Sequence, residues 1–259
     1  MFKKIFCVVI FYSLLLFLAR SQTSKMVFPS EELLYEVSFF GVKLGTIRIV
    51  TEENEKLDGK VVHRAKAYID SYSGIPFVDL HAVFTSWFDP SVSFSYKFNS
   101  SMKEKDYWLF DQIFFDYKNK SIKIEKFKKN QRYFFKEIVT SKKWNDGLSI
   151  FFLAREYTKS KKNVKIPTLM DKDTVYTYIN FDGSIQSVEI PSIGYPVRTV
   201  HFSGKADWTG IYGLTGYFEG WFSDDEASVP IKAKMNVYIG SINIELIRWN
   251  RKGWSPPKV

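Results

Sequence analysis

Leu33, Tyr35, Val37 and Phe39 alternate with Leu34, Glu36, Ser38 and Phe40, and the same two-residue period returns in short runs along most of the 259-residue chain. Successive side chains of an extended strand point to opposite faces, so each run asks for a sheet with one face covered. After the first run, Gly41 and Gly45 bracket Val42-Lys43-Leu44 in turn or bulge geometry, and residues 46–51 resume the alternation, which predicts a hairpin. Residues 52–60 are polar and contain the turn pair Asp58-Gly59 before the next strand at 61–69. Further strands are predicted at 78–88, 93–100, 105–110, 113–117, 121–127 and 131–140, and again at 174–181, 184–189, 197–202, 214–222, 229–239 and 241–248. Short strands spaced by roughly ten residues argue for a sandwich, a barrel or an incompletely closed barrel.

Residues 146–157 break this rhythm. Leu148, Phe151, Phe152 and Arg155 fall at helical spacing, and Asn145 or Asp146 can cap the amides at the start, so the spacing predicts a helix of about three turns. A long curved sheet must cover its apolar face, and this helix is the element able to do it. The predicted fold is mainly β: a strongly curved antiparallel sheet, a half-barrel or open barrel, wrapped on one main α-helix.

The chain begins with Lys3 and Lys4, an apolar run from Ile5 to Leu18, and Ala19 and Ser21 at the positions where a signal peptidase needs small residues. This predicts a signal peptide over 1–21, cleaved between Ser21 and Gln22, then a single β domain over 22–250 and a frayed tail over 251–259. The apolar run is too short to span a hydrocarbon core of roughly 20 residues, and no later segment spans either. Cys7 lies inside the run, so it cannot be the acylated first residue of a lipoprotein, and the mature chain keeps no thiol. Loss of Lys3, Lys4 and Arg20 takes the 37 basic residues to 34 against 28 acidic ones, a net +6 instead of +9. That excess suits an anionic envelope molecule, and with no recognition motif nucleic acid is not an expected partner. The expected location is the periplasm, with the protein soluble after cleavage.

Three stretches occur together: the glycine-bracketed hairpin Tyr35 to Gly45, the segment Asp146-Gly147-Leu148-Ser149 through Arg155, and Gly216-Tyr217-Phe218-Glu219-Gly220-Trp221-Phe222-Ser223-Asp224-Asp225-Glu226 leading to Val229-Pro230 and Gly240-Ser241. In that order they resemble the bacterial exported family known as domain of unknown function 3108. The resemblance spans about residues 33–246 and implies no catalytic residues, because the family has no assigned activity. The predicted architecture is similar to the half-barrels that carry lipoproteins across the periplasm, a likeness of fold alone.

The chemistry-bearing residues are sparse. His63, His81 and His201 lie on different strands outside any two-histidine metal spacing, which gives no metal site and no cofactor. His63 shares a face with Val61, Ala65 and Ala67, as a partly buried, hydrogen-bonded imidazole would. Asp224-Asp225-Glu226 reads as turn chemistry or as a contact for a cation or basic partner. Gly147-Leu148-Ser149-Ile150-Phe151 lacks the second glycine of a nucleophile elbow. Lysines and Arg132 over 118–136, among them Lys123, Lys126 and Lys128, alternate with apolar residues and form either a solvated hairpin face or a ribbon for anionic lipid.

These residues point to a non-enzymatic periplasmic protein binding a lipid-like or apolar envelope ligand on the concave face, with the helix as lid or plug. Trp87, Trp108, Phe151, Tyr217 and Trp221 are the candidate ligand contacts; Lys123, Lys126, Lys128, Arg132, Asp224 and Asp225 are the candidate surface for an envelope protein partner. The alternative is a fully packed interaction or scaffold module with no ligand.

Overall fold

The computed structural model describes residues 24–76, 78–208, 216–237 and 239–259; the expected signal peptide, its expected cut site and Cys7 lie outside them. The strands are β1 (Glu32–Phe39), β2 (Val42–Thr51), β3 (Glu55–Leu57), β4 (Lys60–Ser71), β5 (His81–Phe88), β6 (Ser95–Glu104), β7 (Tyr107–Asp116), β8 (Ser121–Lys128) and β9 (Gln131–Val139). The helix α1 (Ser149–Tyr157) follows, then β10 (Asn163–Met170), β11 (Asp173–Asn180), β12 (Ile185–Val188), β13 (Val197–Ala206), β14 (Gly216–Ser223), β15 (Pro230–Asn236) and β16 (Ser241–Asn250). The fold is mainly β, with one large antiparallel sheet in the order β10-β11-β13-β14-β15-β16-β1-β2-β4-β5-β6-β7-β8-β9; β12 adds to β13 and β3 to β4.

Two expected strands, 105–110 and 113–117, are the single strand β7. The predicted strand at 78–88 begins only at His81. β10 was not expected at all, because Pro167 removes a ladder donor. It is tolerated here because β10 ends the sheet, and the carbonyl of Pro167 is used instead: it accepts the N–H of Asn145 at 2.9 Å.

Bulges bend the sheet at Leu34/Tyr35, Val37/Ser38, Trp87/Phe88, Lys126/Phe127 and Trp221/Phe222. On β13 and β14, phenylalanine sits across from glycine twice, Phe202 opposite Gly220 and Phe218 opposite Gly204. A Cβ on Gly220 would lie 2.5 Å from the Phe202 ring, and one on Gly204 2.2 Å from the Phe218 ring, so only glycine lets these rings fold onto the neighbouring backbone.

Among the described residues, the sheet does not close by strand pairing. The segment entering the helix ties the end strand β10 to the start of β6: Leu169 N–H donates to Asn145 O at 2.8 Å, and Ser95 N–H donates to Trp144 O at 2.8 Å. Two cores result. The larger surrounds α1 and includes Leu33, Phe88, Phe152, Ile166, Phe181, Phe222, Ile231 and Leu246; the smaller lies under β7–β9 and holds Ile113, Phe115, Ile122, Ile124, Trp144 and Leu169.

The tail expected to fray is docked instead. Trp254 Nε1 donates to Asp225 Oδ2 at 2.7 Å, Tyr195 donates to Pro256 O at 2.9 Å, and Arg198 N–H to Pro257 O at 2.9 Å. The prolines stop the segment from making a strand but leave their carbonyls free to accept.

Candidate functional site

The helix closes one end of the sheet, and buried polar groups fix it there. Asp146 Oδ1 accepts the N–H groups of Leu148 at 2.7 Å and Ser149 at 2.8 Å, and its Oδ2 accepts the Ser86 hydroxyl at 2.5 Å. This is an N-terminal cap that also joins the helix to β5. Burial pushes the Asp146 carboxyl above the usual carboxylate range, partly offset by those hydrogen bonds. Ser149 donates to Asn145 Oδ1 at 3.1 Å, and Asn145 Nδ2 donates to Ser93 O at 3.0 Å.

Farther along the helix, Arg155 is wholly buried. Its Nη1 and Nη2 donate to the two Glu31 carboxylate oxygens at 2.6 and 3.1 Å, and its Nε and Nη2 donate to Ala227 O at 3.3 and 2.9 Å. Arg251 also donates to Glu31. The loop that presents Ala227 is shaped by Asp225, whose Oδ1 accepts the Ser223 hydroxyl and the N–H groups of Ala227 and Ser228 at 2.8–3.0 Å. Asp224 accepts from Arg198 at 2.7 Å and pairs with Lys159 at 3.1 Å; the Arg198 hydrogen bond holds its carboxyl below the usual range. Asp224 and Asp225 are thus committed inside the chain as turn chemistry.

Beyond the helix the apolar rows of the sheet's inner face continue. Register places Leu33, Tyr35, Ile49, Ala67, Phe88 and Leu246 on the inner face at the helix end, and all are buried. The same rows continue toward the far rim through Val37, Ile47, Ile69, Phe84 and Ile244, which are only partly buried, and Ala82, which is buried. Ile47, Phe84 and Ile244 pack against the edge of the larger core. Met235 and Phe218 extend the lining onto β15 and β14.

The five aromatic candidates are placed elsewhere. Trp87 packs on the outer face, its Nε1 donating to Glu55 beneath Lys97 and Arg64. Trp108 is 49 % exposed on the face of β7 opposite to Ile113. Tyr217 and Trp221 share the outer face of β14; Trp221 donates to Gln186 at 2.7 Å and lies against His201. Tyr217 borders an outer groove of ≈ 610 Å³ with Lys165, Tyr178, Lys205 and Lys234. Phe151 is half-buried on the helix, edge-on to Phe152. The inner aromatics are phenylalanines instead, and their pairing rows on neighbouring strands are the signal that would have found them.

The basic residues divide between faces. Lys126 and Lys128 follow Ile124 on the inner side, where Lys126 pairs with Asp111 at 3.3 Å and with Asp171; Lys123 and Arg132 face outward, Arg132 donating to Glu125 at 2.5 Å. They form no single basic surface. His63 is buried and hydrogen-bonded to Asn54 Oδ1 at 2.6 Å.

Among the described residues, no helix is long and apolar enough to cross a membrane. Solved structures similar to this one include a β-barrel-like protein of domain of unknown function DUF1849 from Brucella abortus, with a TM-score of 0.58 at 9 % identity, covering 88 % of this chain and 99 % of that one. A protein described as exported, with a YmcC-like fold, from Bacteroides fragilis aligns with a TM-score of 0.36 at 10 % identity over 87 % of this chain and 99 % of that one. No curated protein matches the sequence. The family model described as "Protein of unknown function (DUF3108)" matches residues 34–247, and with the strands, the capped helix and the curved sheet in place across that span, the chain belongs to this family.

Proposed function

We propose that this is an exported, non-enzymatic binding protein that takes the hydrocarbon part of a lipid-like molecule into an apolar cup formed by this inner face, with α1 as its floor. The observation that carries the proposal is the inner face itself: Leu33, Ile49, Phe88 and Leu246 are buried at the helix, while Val37, Ile47, Ile69, Phe84 and Ile244 beyond them are only partly buried. A packed scaffold gains nothing from inner apolar side chains that stay partly accessible, since each partly exposed Phe or Ile forgoes up to roughly 1 kcal/mol of burial. The lining on β1, β2, β4 and β16 is apolar, while Ser100, Asp111 and Lys126 make the inner side of β6–β8 polar, where a ligand's head would be held.

Native mass spectrometry of protein purified from its own cell envelope, and uptake of a monomeric fluorescent lysophospholipid, test the proposal. Phe84→Ser and Ile244→Ser should each weaken uptake about tenfold, the equivalent of roughly 1.4 kcal/mol, while the fold persists. A ligand-free mass together with uptake unchanged in both variants would reject the cup as the site.

A further inference from the structure

On the outer face of β10, β11, β13 and β14, two rows of side chains run across the strands with a groove of ≈ 610 Å³ between them. The first row is Lys165, Tyr178, Lys205 and Tyr217, each directly opposite the next in the ladder. The second row, in the same register, is Asn163, Asn180, Ser203 and Glu219. The floor is ladder backbone, including Ile179 and Gly204; the Ile179 side chain turns into the larger core, and the Phe218 ring folds under Gly204. Because β11, β13 and β14 are paired on both edges, a peptide finds no free ladder here to extend.

The rings of the first row are presented to solvent. Tyr217 is 66 % exposed and Tyr178 half-buried. They stand two strand spacings apart, about 10 Å, with Lys205 between them. In the second row, the side chains of Asn163, Asn180 and Ser203 make no hydrogen bond among the described residues.

The lining carries Lys165, Lys205 and Lys234 against one carboxylate, Glu219. Lys205 meets Asp207 at 3.4 Å, and Lys234 stands opposite Glu219, whose Oε2 lies 3.5 Å from His201 Nε2. Lys165 makes no ion pair among the described residues and lies over the Tyr176 and Tyr178 rings, 4.0 and 5.5 Å from their centroids. The groove is mildly cationic, and its unpaired cation stands beside an aromatic ring.

This combination selects a sugar chain. The C–H face of a pyranose packs flat on a tyrosine ring, its hydroxyls exchange hydrogen bonds with amides and a serine, and an acidic substituent meets an ammonium group. The spacing of Tyr178 and Tyr217 is about that of a disaccharide, and the lysines alternate with the rings. A hydrocarbon tail would leave the amides and lysines without partners.

We infer that this groove binds an acidic oligosaccharide, with Tyr178 and Tyr217 stacking on alternate sugars and Lys165 meeting a carboxylate between them. It lies on the opposite face of the sheet from the proposed lipid cup, so the two sites stand or fall separately.

Calorimetric titration of the purified protein tests the inference with three probes: a hyaluronan hexasaccharide, which alternates uronate with N-acetylhexosamine, the neutral N-acetylglucosamine tetramer, and hexaglutamate. The hyaluronan fragment is expected to bind, the neutral tetramer to bind more weakly and hexaglutamate not to bind. Tyr217→Ala and Lys165→Met should each weaken hyaluronan binding roughly fivefold to tenfold. Both side chains are exposed, so the melting temperature should stay at the wild-type value, which separates lost contact from lost fold. Tyr133→Ala, on the outer face of β9, should leave binding unchanged. No binding of either saccharide, affinity unchanged in both groove variants, or hexaglutamate binding as tightly as hyaluronan would each overturn the inference, the last because charge alone would then suffice.

Discussion

Glu31 and Arg155 are 124 positions apart in sequence and form the most deeply buried ion pair described, with Arg251 as a second cation on the same carboxylate. A buried pair contributes little net stability over apolar replacements, but removing one partner strands the other and costs about 3–5 kcal/mol. Glu31→Leu leaves two guanidinium groups without their counter-charge, whereas Arg155→Met leaves Glu31 with Arg251. The expected order in urea unfolding is therefore a larger loss for Glu31→Leu than for Arg155→Met, with the double variant losing less than the two losses added. Strict additivity would show that the pair is not coupled. His63 carries a pH dependence. Burial lowers its pKa from the ordinary value of 6.5, so between the lowered value and 6.5 the unfolded chain binds more protons than the folded one. Its contribution is whole above about pH 6.5 and is lost as pH falls through that window. Wild type should lose stability relative to His63→Gln between pH 7 and pH 5, roughly; parallel stability curves would contradict this.

Among the elements, β7–β9 stand apart from the rest. They rest on the smaller core, and β9 ends the sheet with one edge unpaired by any described strand. Tyr133 and Phe135 are exposed on it, beside Arg132 and Lys136, the kind of edge charge that discourages pairing with another chain. Local opening follows sparse burial and exposed hydrogen bonds. Hydrogen exchange should therefore release β9 first, then β8 and β7, while β1, β2, β16 and α1 hold until global unfolding. Equal protection across all of them would mean that the two cores act as one. The helix differs from β7–β9 because three separate tethers hold it: the Asp146 cap, the Arg155 pair and the Phe88–Phe152 stack at 5.1 Å.

For the whole molecule, alternation along the strands, the Asp58-Gly59 turn and the helical spacing of Leu148, Phe152 and Arg155 were enough to determine a mainly β chain folded on one helix, and the order of three motifs was enough to place its family. These are local properties: backbone geometry and side-chain period are set within a few residues. Which face of a strand turns inward is not local. Trp87 and Phe88, or Trp221 and Phe222, are equally apolar neighbours, and only the curvature of the sheet and its partner strands decided that the phenylalanines face the core while the tryptophans lie outside. The same holds for β10, where Pro167 is acceptable only because the strand lies at the sheet's end, and for Glu31 and Arg155, which meet only after the strands between them have curved. The sequence alone determined most of the elements, because their hydrogen bonds and periods are short-range; only the tertiary structure admitted β10 and decided which apolar face packs on the helix, because burial depends on neighbours that are distant along the chain.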